Sequence, residues 1–164
     1  MKKIVAGLLL VLLLPVTTGW ADFNEGAVAY AMGQYGKALE ILVPLAESTD
    51  HPYAQYYLGV MYTNGQGVKQ DFAEAAKWYS RAAKQGISQA QFRLGEIYAK
   101  GQGVPADLEQ AYAWFAVAAH LGHAQASAAL ASSSQKLSPA ELAQAKKLGS
   151  EFIQQHGNKP MTPP

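Results

Sequence analysis

The 164-residue chain is nearly balanced in charge, with 13 Lys and Arg against 12 Asp and Glu. It has no basic cluster of the kind that nucleic acid or anionic lipid requires, so neither is an expected partner. There is no cysteine, which excludes a disulfide framework and leaves no acceptor for a bacterial lipid anchor.

Taken in chain order, Lys2 and Lys3, an apolar run from Ile4 to Leu14, Pro15 and then Gly19-Trp20-Ala21 give the charged, apolar and small-residue regions of a secretory signal. The run is about half the roughly 20 residues that a membrane-spanning helix needs. Residues 1–21 are therefore read as a signal peptide cleaved after Ala21, with the mature protein periplasmic or secreted and without a permanent membrane anchor. The sequence from Asp22 to Ser48 reads as a capped helix, a turn at Gly33-Gln34-Tyr35 and a second helix carrying Ala38, Leu42 and Leu45. Pro44 falls inside that second helix, where it removes one hydrogen bond and is expected to bend the chain.

Residues 51–86 and 87–122 then repeat one another at an offset of 36, with fifteen identical positions. A period in the range of roughly 20 to 50 residues marks an array whose units bury their apolar faces by stacking on neighbours. In Pro52 to Asn64, Ala54, Gln55, Leu58 and Tyr62 lie within one arc of a helical wheel and recur as Ala90, Gln91, Leu94 and Tyr98. Gly59 and Gly95 cost helix stability by roughly 1 kcal/mol relative to Ala, which points to close approach of a neighbouring helix. A second helix carries Ala75, Trp78, Ala82 and Ala83, repeated as Ala111, Trp114, Ala118 and Ala119, and the two tryptophans are read as filling the same packed slot.

Glycines 65, 101, 86 and 122 close the helices. Asp71 with Glu74, and Asp107 with Gln110, have the capping-box form. No two-residue alternation competes, so no β-sheet is expected. Beyond residue 122 the register continues in Ala126 and Leu130 and then decays. Ser138-Pro139-Ala140-Glu141 is a helix start, followed by an apolar stripe of Leu142, Ala145, Leu148 and Phe152 that predicts a C-terminal cap on the stack. Residues 157–164, with three prolines, are read as a frayed tail.

The pattern Ala54, Leu58-Gly59, Tyr62, Gly65-Gln66-Gly67-Val68, Asp71, Ala75, Trp78-Tyr79, Ala82-Ala83, Gly86 resembles the Sel1-like repeat, a relative of the tetratricopeptide repeat with a longer inter-helix loop. Residues 87–122 match equally, with Phe115 for the Tyr, while residues 22–50 are closer to the tetratricopeptide form. The resemblance implies an all-α solenoid with a concave groove, a role as an adaptor or binding scaffold, often in the bacterial envelope, and no catalytic residues. The organisation expected is a signal peptide (1–21), a helical repeat domain (22–156) divided at 22–50, 51–86, 87–122 and 123–156, and the tail.

Chemical look-alikes carry little. Gly101-Gln102-Gly103-Val104-Pro105-Ala106 fits a loose dinucleotide string but follows a helix rather than a strand. His120 and His123 are read as solvated turn residues, Ser132-Ser133-Ser134 as a degraded turn, and no metal or cofactor is expected. The informative positions are those that differ between the copies. Tyr53, Tyr57, Val60 and Asn64 form a stripe on the first helix whose counterparts are Gln89, Arg93, Glu96 and Lys100. In related repeats such positions line the inner face, so the resemblance makes Tyr53, Tyr57, Arg93, Glu96 and Lys100 the candidate partner-binding residues. The ligand expected is an extended protein segment or peptide, or a glycan, in the cell envelope. The rival readings are an envelope hydrolase, since some cysteine-rich relatives have been linked to β-lactam binding but carry bridging cysteines absent here, and a purely structural subunit of an envelope assembly.

Overall fold

A computed structural model describes residues 19–158, which form eight α-helices and, among the described residues, no strand. They are α1 (Gly19–Ala31), α2 (Tyr35–Ser48), α3 (Pro52–Asn64), α4 (Phe72–Lys84), α5 (Ser88–Lys100), α6 (Leu108–His120), α7 (Ala126–Ser134) and α8 (Pro139–His156). Consecutive helices pack against each other from α1 to α7, which makes the molecule an α-solenoid of stacked helix pairs. The signal segment lies outside the described residues except for Gly19-Trp20-Ala21, which belong to α1. Asp22 consequently sits in the first turn of α1 and does not cap it.

Each repeat is held internally by one contact that the sequence states twice. A Cβ on Gly59 would lie 2.6 Å from the ring of Tyr79, and one on Gly95 would lie 2.6 Å from the ring of Phe115. The glycines therefore seat an aromatic ring of the second helix on the backbone of the first. Leu58, Tyr79, Leu94 and Phe115 are all buried as a result.

The punctuation follows the same economy. Gly65 and Gly101 adopt the left-handed conformation (φ 67° and 64°) and turn their N–H groups back to Met61 and Ile97. The Asp71 carboxylate accepts from the Glu74 N–H (3.0 Å) and Asp107 from that of Gln110 (2.9 Å). Glu74 does not complete a box, because its carboxylate is drawn to Lys77 at 2.6 Å. The full reciprocal box occurs at α8, between Ser138 and Glu141.

Successive units are clasped by their loops. Gly67 (φ +73°) lies against Tyr35 and Leu39 of α2, and Gly103 (φ +74°) lies so close to the start of α4 that a Cβ would collide with the Ala73 nitrogen and the Phe72 backbone. Only glycine fits there, on grounds of both conformation and space. Buried glutamines supply a second clasp. Gln55 Nε2 donates to the Ala46 carbonyl (3.3 Å), and Gln91 Nε2 donates to that of Ala83 (3.0 Å).

Several expectations are corrected. Ser132, Ser133 and Ser134 are the last residues of α7 and not a turn. Gly157 is buried, donates to the Ile153 carbonyl (2.8 Å) and lies beside His120, so the first residue of the expected tail is packed, while residues 159–164 lie outside the described residues. The two tryptophans do not share one environment. Trp114 is 4% exposed beneath Phe152 and His156 of α8 (ring centroids 4.7 and 5.6 Å), whereas Trp78 is half-buried beneath the Arg81 guanidinium (4.9 Å). The difference arises because α8 lies along α6, where Gly149 abuts Ala113 and Ala116, and its end meets the end of α4 at Lys84.

Candidate partner-binding face

The first helices of the repeats present the stripe on which the candidate residues lie, and the structure divides it into an aromatic half and a charged half. On α3, Tyr53 and Tyr57 are half-buried against α1: Tyr53 lies 5.8 Å from both Trp20 and Phe23, and Tyr57 lies 5.7 Å from Phe23 and 5.1 Å from Tyr30. They belong to an aromatic layer that also contains His51, stacked on Phe23 at 4.8 Å. On α5, Arg93 and Lys100 are exposed and flank Glu96, whose two carboxylate oxygens take Arg93 at 2.8 Å and Lys100 at 3.4 Å. The row carries one net positive charge in an arrangement that leaves donors of both cations free for a partner.

Tyr56 and Tyr79 join the halves. Tyr56 lies 5.8 Å from Tyr57 and 5.9 Å from Tyr79. Burial raises the Tyr56 hydroxyl above its ordinary pKa, and the adjacent Arg93 partly opposes this. Burial pushes Tyr79 up to about 12, against a hydrogen bond donated by the Thr63 hydroxyl at 3.3 Å. Arg93, Glu96 and Lys100 border a cleft of about 110 Å³ with Thr63, Tyr79 and Gln102. That space is below the roughly 300 Å³ at which small-molecule pockets begin. It suits a side chain of a larger partner.

The loop glutamines show how differently the two repeats use one residue. Gln66 is clamped, accepting from the Tyr30 hydroxyl (3.0 Å) and donating to that of Tyr35 (2.9 Å). Gln102 has no tyrosine at the corresponding places and lines the cleft. Beside the charged row, a histidine read from the sequence as solvated is built in. Phe92 is buried, and His123 stacks on it at 4.4 Å with Nδ1 buried and without a hydrogen-bond partner. Burial, reinforced by the charge of Arg93, holds His123 below its ordinary pKa. His123 is thus a packed residue and not a solvated one. His51 and His123 stand two repeat lengths apart, a regularity in the sequence that marks both as positions facing the unit boundary.

Sel1 repeats match residues 52–87 and 88–123, each one residue later than the offset read from the sequence. The chain thus carries two Sel1 repeats. Its fold is similar to that of a protective antigen present in uropathogenic Escherichia coli strains displaying an SLR fold, with TM-score 0.81 and 34% identity over 86% of this chain and 31% of that one. It is also similar to a Sel1 repeat protein from Oxalobacter formigenes, with TM-score 0.63 and 28% identity over 79% of this chain and 55% of that one. An exopolysaccharide production negative regulator of Rhizobium leguminosarum bv. viciae is 42% identical over 65 residues, which are 40% of this chain and 24% of that protein. This Sel1-repeat chain therefore spans a quarter to about half of the length of these relatives. It is a helical-repeat scaffold of the kind that generally mediates protein–protein interaction and is generally non-enzymatic.

Proposed function

We propose that this Sel1-repeat scaffold is exported by cleavage after Ala21 and holds a protein or peptide partner in the cell envelope along the first-helix face. The observation that carries the reading is the exposed Arg93–Glu96–Lys100 row beside a side-chain-sized cleft, in a chain whose other conspicuous aromatic residues are engaged in packing. Charged donors fix the orientation of an extended segment, and the cleft takes one of its side chains. A glycan is the second ligand class, favoured by the relative named as a negative regulator of exopolysaccharide production.

Site-specific photo-crosslinkers at Arg93 and Lys100, with one at exposed Lys77 of α4 as control, test this in the native envelope. Discrete adducts from positions 93 and 100 and none from 77 are expected. Adducts from 77 alone would move the partner to the other surface. Truncating Tyr57 is the poorer test, because its ring packs on Phe23 and Tyr30 and its loss disturbs the fold as well as any ligand.

A further inference from the structure

Trp20 occupies a position that only a precursor holds if export removes residues 1–21. Its indole sits among Phe23 (5.9 Å, edge-on), His51 (4.7 Å, edge-on) and Tyr53 (5.8 Å, tilted). Phe23 and Tyr53 lie 5.8 Å apart, and His51 is stacked on Phe23, so the three remaining rings are fixed by one another and by α3 as well as by Trp20. The His51 imidazole accepts the Ala54 N–H at Nδ1 (3.3 Å), which commits the neutral ring to carrying its proton on Nε2. That Nε2–H is buried without a partner, although the residue is only 7% exposed. A buried donor left unsatisfied is uncommon and calls for an acceptor.

The geometry points to an indole-binding subsite on the mature protein, lined by Phe23, His51 and Tyr53, in which Trp20 stands in for an aromatic side chain of the partner. The proposal rests on the export reading and adds to it the partner's chemistry: an extended peptide segment with a Trp, whose backbone carbonyl can take the proton of His51 Nε2. Edge-on and tilted contacts with three rings select a large aromatic over an aliphatic side chain. The subsite opens on the stripe that the charged row continues on α5, since Tyr53 belongs to its α3 part. While Trp20 remains attached it competes at an effective concentration on the order of mM, so the precursor is closed to the partner that the processed protein receives.

The test uses the exported protein, whose N-terminus is read by intact mass, and the same protein with the processing site moved ahead of Gly19 so that Trp20 is kept. The probe is the peptide acetyl-Gly-Gly-Trp-Gly-Gly-amide, with a Leu peptide as control, titrated by calorimetry and by the His51 imidazole resonances. We expect the protein starting at Asp22 to bind the Trp peptide at least tenfold more tightly than the Trp20-retaining form. Trp20→Ala in the retaining form should restore binding, and the Leu peptide should be ignored. Equal binding by both forms, or none by a form beginning at Asp22 that keeps its helicity and melting point, would overturn the subsite. Loss of fold on removing Trp20 would do the same, by making it a core residue. An exported protein that still carries Trp20 would instead refute the position of cleavage, and Trp20→Ala then decides the subsite separately.

Discussion

In residues 52–87 the buried glutamine of the first helix, Gln55, reaches Ala46 and in turn receives Gln85 Nε2 at 2.9 Å, while Arg81 bonds the same Ala46 carbonyl and Asp50 (both 2.8 Å). In residues 88–123 its counterpart Gln91 reaches Ala83 but receives nothing at Oε1, which is buried and unpartnered. The reason is legible in the register: Leu121 stands where Gln85 would, Val117 where Arg81 would, and Gly86 where Asp50 would. Two units alike inside are thus joined to their neighbours by different chemistry, one junction polar and the other apolar. Identity between repeats reports packing within a unit and the clasps that both junctions share. The differences report which neighbour each unit meets.

The sharpest way to break this comparison is at the tryptophans. Trp114→Ala, which empties a slot roofed by α8, should cost roughly 3 to 5 kcal/mol, whereas Trp78→Ala at its half-buried site should cost about half of that. Denaturant midpoints decide, and equal losses would mean that the α8 roof contributes nothing. Next in size is an alkaline difference between the repeats, since Tyr79 has Phe115 as its counterpart. Tyr79 is held neutral up to about 12, while its unfolded form ionises near 10. The unfolded state therefore releases its proton first as pH rises, and this stabilisation is complete below pH 10 and lost between 10 and 12. Tyr79→Phe should flatten that decline by roughly 2 kcal/mol, read as melting temperature against pH. An unchanged slope would place the ring in contact with water.

The smallest effect compares the two glutamines. Gln55→Leu strands Gln85 and weakens the cap on α2, at a cost of about 1 to 3 kcal/mol. Gln91→Leu should change stability by less than about 1 kcal/mol, because it removes an unpaired acceptor and leaves the Ala83 carbonyl with the Gly86 N–H. Urea unfolding of both variants separates the cases, and equal losses would remove the distinction between the junctions.

How far this was legible in advance depends on the range of each contact. Gly59 as a point of close helix approach, and Asp71 with Glu74, lie within one repeat and recur, so spacing alone exposed them, though not that the Tyr79 ring is what approaches Gly59. The all-helical solenoid followed for the same reason. Contacts between units left weaker traces. Nothing in the period of α8 says that Phe152 and His156 will roof Trp114 while Trp78 is left to Arg81. Tyr53 and Tyr57 read as an open aromatic ledge because a helical wheel shows which way a side chain points but not whether another element comes to cover it. Phe23 and Tyr30, on a helix outside the repeat, do so. The charged residues Arg93, Glu96 and Lys100 stand as the wheel places them, since solvated side chains need no partner unit to define them.

The loop glycines give the array a direction. Gly67 and Gly103 each press on the second helix of the unit before them, and residues 22–50, which lack the long loop, begin the series of clasps. Every clasp is thus made by later residues on helices that already exist when the chain is read from its amino end. A polypeptide emerging from the ribosome or a translocation pore in that order can fasten each unit as soon as its loop is clear, and its folding intermediates would be truncations from the carboxyl side and not from the amino side.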